Sequence, residues 1–309
     1  MVLASATGFG TLAILAKLGY AAGVGTQQML AFRFLLAAIG MLALAALAGQ
    51  NPLRLGRTRL LTLLSMGMLF YSAQSLTYFL ALRSLPASVV VLIAYIYPSL
   101  VVGAGWLFLR RAITAKHGAA LAASFVGVAM LVGGAHFQLT WALLLAVASP
   151  VVYTGYILVG ERVMGSVPAL AASAVIMVGA AIGFTLIAAV TNELTPPRSL
   201  NGWAVVVALA LVPTMLAITL FLAGLPRVGA SRAALLSTWE PVVTVLLAVA
   251  VLGDRLSIVQ VLGGLLVLLA VAAVQSAGRS PARGSLLMYP APAPLVRGSD
   301  GSGGDNAVG

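Results

Sequence analysis

Long apolar stretches, interrupted at short intervals by Gly, Pro, Arg and Asn, run almost the whole length of this chain. A membrane-crossing helix needs about 20 mostly apolar residues. Windows of that kind fall at 2–22, 27–48, 60–82, 86–109, 117–135, 139–160, 168–190, 202–224, 231–252 and 256–277. The pattern therefore predicts an all-α integral membrane protein with ten transmembrane helices. The first window differs from a secretory signal: no basic stretch precedes it, and nine further windows follow. Asn51-Pro52 and Pro196-Pro197 mark loops between windows.

A second pattern lies over the first. Leu82, Ala87, Ser88, Leu92, Pro98 and Leu109 recur 143 residues later as Leu225, Ala230, Ser231, Leu235, Pro241 and Leu252, and Val128-Ala129 as Val271-Ala272. Apolar matches are cheap in a chain that is 61% hydrophobic, but paired mid-window prolines and paired Ala-Ser starts are not. Five windows per half put the boundary near His136, giving repeats over 1–135 and 136–277. The remainder, 278–309, has no apolar period and is rich in Gly, Pro, Ser and Ala, which predicts a disordered tail. A repeat with an odd number of spans must be inverted. Inverted repeats are the architecture of secondary transporters, whose substrate site lies near the midplane between the halves.

Charge orients the chain. Only 7% of residues are charged, against about 25% in soluble domains. The net +11 would suggest nucleic acid in a soluble chain; here it follows from topology. With a cytoplasmic N-terminus, the inside segments hold Arg54, Arg57, Arg59, Arg110, Arg111, Lys116, Arg162, Arg227, Arg232, Arg279, Arg283 and Arg297. The outside loops hold only Arg83, Arg198 and Arg255. This asymmetry predicts that both termini are cytoplasmic; the chain is expected in the inner (plasma) membrane. The absence of cysteine excludes disulfides and thiolate chemistry. His117 and His136 sit at window ends, and no metal cluster, phosphate loop or nucleophile–base pair is visible. No cofactor, metal or nucleic-acid partner is expected, and an enzyme acting on a lipid-linked substrate lacks its paired carboxylates.

The polar residues inside the windows are the candidate chemistry. Glu240 is the acidic residue near the middle of a window, where a charge costs several kcal/mol unless it faces a cavity or a partner. It is read either as a site for a substrate ammonium or coupling proton, or as a brace for the kink at Pro241. Tyr71, Gln74 and Tyr78 share one helical face, as do Ser149, Tyr153 and Tyr156; Tyr95 pairs with Ser99, and Ser237 and Thr244 flank Glu240. Tyrosine faces can stack on an apolar side chain or hold a cation. Tyr78, Tyr95, Tyr153, Gln74, Ser237 and Glu240 are the expected substrate-binding set, with Trp239 as a wall. Pro98 and Pro241 each remove a mid-helix hydrogen bond and are candidate hinges or static kinks. Lys17 reads as a snorkelling cation, whereas Arg33 lies deeper and is open to a substrate carboxylate. Gly179 and Gly183 form a small-xxx-small spacing suited to close helix contact.

Several of these residues resemble a known family. Arg33-Phe34-Leu35, the run Leu92 to Pro98, Glu240-Pro241, Leu252-Gly253-Asp254-Arg255-Leu256, and Gln260, Gly263 and Gly264 are similar to motifs of the drug/metabolite transporter superfamily, in particular its EamA-type ten-helix members. Gly253-Asp254 stands where that family usually carries Gly-Glu. The look is closest to its YddG-type exporters of aromatic and other amino acids. The resemblance implies a basket of helices 1–4 and 6–9 around a central cavity, with helices 5 and 10 outside. It also implies export of neutral amino acids by alternating access, or, as the alternative, of cationic drugs or other small metabolites. Proton antiport and facilitated diffusion both fit.

Overall fold

The computed structural model describes residues 1–110, 114–133, 140–163 and 167–277; Arg111, the half boundary at His136 and the segment 278–309 lie outside them. Ten helices long and apolar enough to cross a membrane follow one another: α1 (Val2–Ala21), α2 (Thr26–Leu47), α3 (Arg57–Ser84), α4 (Ala87–Leu109), α5 (Ala115–Val132), α6 (Trp141–Val163), α7 (Ala169–Val190), α8 (Leu200–Val228), α9 (Arg232–Leu252) and α10 (Ile258–Ser276). Each overlaps one apolar window, and no strand occurs among the described residues.

The helices are interrupted at related places. α4 breaks at Tyr95-Ile96 and α9 at Thr238, each a few residues before a proline, Pro98 or Pro241. Proline lacks an N–H and clashes with the carbonyl four residues back, so the turn before it opens. α4 ends on Arg110 and α9 on Gly253, both left-handed, with φ of 52° and 69°. Breaks and caps thus repeat at the sequence offset of 143. Two π-helical turns also correspond, Met66–Tyr71 in α3 and Leu211–Leu216 in α8. In both, a hydroxyl takes the carbonyl five residues back: Ser72 Oγ donates to Gly67 O at 3.0 Å and Thr214 Oγ1 to Leu209 O at 2.8 Å.

Small residues seat these irregular turns. A Cβ at Gly183 would meet the Met68 carbonyl at 2.9 Å, one at Gly179 would overlap the Leu64 carbonyl, and one at Gly67 would overlap the Ile176 carbonyl. The Gly179/Gly183 spacing therefore serves to bring α7 onto the π turn of α3. α5 and α10 pack on each other through a reciprocal contact, Gly127 against the Gly263 carbonyl and Gly263 against the Gly127 carbonyl. Ser99 and Ser124 join this pair to α4 at 2.7 Å, and Gly264 lies under Leu92. α5 and α10 contribute nothing to the polar interior described below.

α4 and α9 run antiparallel through the centre. Asp254, just past the end of α9, accepts hydrogen bonds from the backbone N–H and hydroxyl of Ser88, at the start of α4, at 3.1 and 2.8 Å. Lys17 of α1 lies within electrostatic reach of the same carboxylate. Halfway along, Tyr95 of α4 meets Ser237 of α9. α2 and α7 close one side of the core through the stacked rings of Phe34 and Phe184, 5.2 Å apart.

Candidate substrate site

Backbone groups released by prolines organise the polar interior. Pro241 has no N–H to offer the carbonyl of Ser237, and the Tyr95 hydroxyl takes that carbonyl at 2.6 Å. Pro213 likewise leaves the Leu209 carbonyl without its helical donor; Thr214 takes it, and the Thr214 oxygen accepts a bond from Arg33 Nε at 3.1 Å. Freed groups of this kind are tolerated in a membrane when neighbouring side chains satisfy them. Both arrangements tie a helix of the first half to one of the second.

Glu240 lies in the first turn after the α9 break at Thr238. Its Oε2 is 3.3 Å from the Tyr95 hydroxyl oxygen. A single hydroxyl proton cannot serve both Ser237 and Glu240, and the shorter bond goes to Ser237. An ionised Glu240 therefore has a carboxylate with no strong donor, whereas a protonated one can donate to Tyr95. Glu240, Tyr71 and Tyr97 are each partly exposed.

A continuous run of rings leads away from Glu240. Tyr95 and Tyr97 meet edge to face at 5.9 Å, Tyr97 and Tyr153 at 4.9 Å, and Tyr153 and Tyr156 stack at 5.6 Å. Tyr156 meets Tyr71 at 5.7 Å, and Tyr71 meets Phe34 at 5.6 Å. Such edge and offset contacts hold each ring in one orientation. At the far end, the Arg33 guanidinium lies over the rings of Phe34 and Phe79, 4.7 and 5.4 Å from their centroids. Tyr78 is buried beside Phe79. Gln74 donates to Ser149 Oγ at 3.2 Å, bridging α3 and α6.

Of the residues expected from the sequence, Tyr95, Ser237 and Glu240 touch directly, and Tyr153 joins them through Tyr97. Gln74 and Tyr78 lie on the α3 wall. Trp239 stands apart: it is 43% exposed and its indole N–H donates to Thr7 Oγ1 at 3.2 Å, linking α9 to α1. Pro98 and Pro241 each follow a break in their helix. Tyr156 was read on the Tyr153 face of its window, and Tyr71 on the Tyr78 face, whereas Tyr97 and Phe34 were not expected to join the ring run, although their aromatic character was a usable signal. The Ser88–Asp254 link had no signal beyond the charge of Asp254. No group of three or more metal-ligating residues occurs among the described residues.

A ten-span helical bundle with a polar, tyrosine-lined interior is the build of a multi-pass membrane transporter. The chain belongs to the EamA-like transporter family, whose model matches it twice, over residues 1–133 and 140–275. It is 26% identical to the uncharacterized transporter YcbK of Bacillus subtilis (strain 168), over 82% of this chain and 85% of that protein. A solved crystal structure at 22% identity superposes with a TM-score of 0.61, covering 90% of this chain and 99% of that one, which supports the fold.

Proposed function

We propose that this EamA-family protein is a secondary exporter of amino acids, aromatic and other neutral ones, in the inner (plasma) membrane. Both termini are cytoplasmic in this reading, and residues 1–135 and 136–277 form inverted halves that alternate access to a central site. Two matches of the family model, each spanning five helices, support the duplication, and the antiparallel course of α4 and α9 supports the inversion.

The observation that carries the substrate class is Glu240, a carboxylate at mid-span whose one side-chain partner among the described residues is a tyrosine already bonded elsewhere. An ammonium group completes it, and the tyrosine rings offer an apolar and π-rich wall for a side chain. A proton completes it equally well, through donation to Tyr95, so proton and ammonium compete for one group; that is the simplest route to proton coupling. Pro98 and Pro241 act as hinges at the two helix breaks. The same carboxylate fits a cationic drug, which is the second reading.

Uptake of labelled phenylalanine, tryptophan and leucine into proteoliposomes tests the proposal. Saturable flux is expected for at least the aromatic pair, with a loss of about tenfold or more in Glu240→Gln, since a charge-assisted bond is removed. No saturable flux for any of the three would reject the amino-acid reading.

A further inference from the structure

α4 and α9 meet along only part of their length. The outer half of α4, Ala87–Ala94, packs on Trp239–Leu247 and Ala248–Leu252 of α9. The helices part at their breaks, Tyr95-Ile96 and Thr238. Their cytoplasmic halves, Tyr97–Leu109 and Ala230–Ser237, diverge, and each packs instead on α10. Hydrogen bonds follow the same division. Asp254 takes the backbone N–H and hydroxyl of Ser88 at the outer end, and Tyr95 takes Ser237 at the middle. The hydroxyls of the cytoplasmic halves turn elsewhere: Ser99 to Ser124 of α5, and Ser237 Oγ to the Ala233 carbonyl of its own helix. α2 and α7 differ. Gln50, just past α2, accepts from the N–H groups of Leu170 and Ala171 at 3.0 and 3.3 Å. At the outer end Gln28 donates to the Thr195 carbonyl. That pair is fastened at both ends.

The sequence repeat is broken at the same place. At the offset of 143, Ser88 corresponds to Ser231 and Asp254 to Arg111. The serine recurs, but its carboxylate partner gives way to a guanidinium, which donates and cannot accept. A carboxylate that takes a backbone N–H at a helix N-terminus makes a charge-assisted bond aligned with the helix dipole. One oxygen, Asp254 Oδ2, takes both Ser88 bonds, so a single side-chain movement frees both. We propose that Asp254 is the clasp of an outer gate. Its bonds to Ser88 hold the outer ends of α4 and α9 together, and the cytoplasmic ends carry an arginine where the second clasp would stand. This rests on the topology and alternating access proposed above, and it names the contact that must break before the outer side opens. Above the breaks in α4 and α9, release of Asp254 lets the packed segments swing apart about Pro98 and Pro241.

The chain has no cysteine of its own, so introduced pairs report without background. Spin labels at Ser84→Cys and Val251→Cys span the outer ends, and labels at Phe108→Cys and Arg232→Cys span the cytoplasmic ends; all four positions are exposed. Double electron–electron resonance on the full chain in lipid nanodiscs reads both distances. With Asp254 intact, the outer pair gives one short distance. Asp254→Ala raises the outer-open population by about tenfold, and the cytoplasmic pair closes in step. Ser88→Ala, which keeps the backbone bond, has a smaller effect, and Asp254→Glu, which restores an acceptor, returns the short outer distance. The inference is overturned if Asp254→Ala leaves the outer distance unchanged. It is also overturned if the outer pair lengthens while the cytoplasmic pair stays put, since the bonds then cap α4 and gate nothing. A membrane-impermeant maleimide applied to intact cells tests the orientation separately, and reaction at Ser84→Cys is expected. Reaction only after the cells are opened would refute the topology proposed above and remove the outer gate with it. A coupled distance response in protein that carries no amino acid would reject the cargo and leave the clasp standing.

Discussion

Tyr95→Phe isolates the bond between Tyr95 and the Ser237 carbonyl, because the ring and its edge contact with Tyr97 remain. An ordinary hydrogen bond between membrane helices contributes roughly 0.6 kcal/mol, since each partner finds substitutes when released. The Ser237 carbonyl has no such substitute: its helical donor would come from residue 241, which is proline. The cost should approach that of a buried acceptor left unsatisfied, about 1–2 kcal/mol. Pro241→Ala returns the missing N–H, so in that background Tyr95→Phe should cost no more than about 0.6 kcal/mol. The double-mutant cycle then has a coupling of roughly 1 kcal/mol. Reversible unfolding in mixed micelles, followed by tryptophan fluorescence across a sodium dodecyl sulfate titration, measures all four corners. Equal costs of Tyr95→Phe in the two backgrounds, within about 0.3 kcal/mol, would refute the claim that Pro241 creates the acceptor that Tyr95 fills.

Other substitutions probe separate parts of the structure. Asp254→Ala removes both bonds to Ser88 and should speed hydrogen exchange at residues 88–91 by about tenfold; Ser88→Ala, which spares the backbone bond, should have the smaller effect. Arg110→Gly should stabilise by about 1 kcal/mol in the same unfolding assay, since Arg110 holds a left-handed φ of 52° that glycine adopts freely. Gly67→Ala should destabilise by about 1–3 kcal/mol, because its Cβ meets the Ile176 carbonyl. Gly118→Ala, in open space on α5, should be neutral or stabilising by up to about 1 kcal/mol. A reversed order for the last two would contradict the packing of α3 on α7.

What the sequence made legible follows from what is local. Ten apolar windows are visible because each span must satisfy its own backbone in lipid. Pro98 and Pro241 are visible because proline acts on its own helix. Glu240 stands out because charge at that depth is rare. The π turn of α3 contains no proline and could not be read. It depends on Gly67 meeting α7 across a contact between residues far apart in sequence. Pro213 stands in the equivalent turn of α8 and was not singled out in the sequence; its link to Arg33 through Thr214 needed the third dimension. Trp239 follows Thr238, the break in α9, and its ring faces α1 while the tyrosines gather elsewhere. Asp254 was legible only as the acidic residue that stands where the family usually carries Glu; its oxygen caps the first turn of α4. Resemblance in motif led to the family, and geometry then separated residues that meet at the site from those that only stand near it in sequence.

Seven polar bonds between helices share one property. Tyr95 to Ser237, Arg33 to Thr214, Ser88 to Asp254, Gln74 to Ser149, Ser5 to Ala217, Trp239 to Thr7 and Thr244 to Gly10 each fasten the N-terminal five helices to the C-terminal five. At roughly 0.6 kcal/mol apiece, these seven total about 4 kcal/mol, and only those on one side need open at a time. A difference of a few kcal/mol leaves a second conformer populated at about 0.1–10%. Under the proposed alternating access, thermal motion alone would suffice to work this latch, with no fuel required to rock the molecule between two poses.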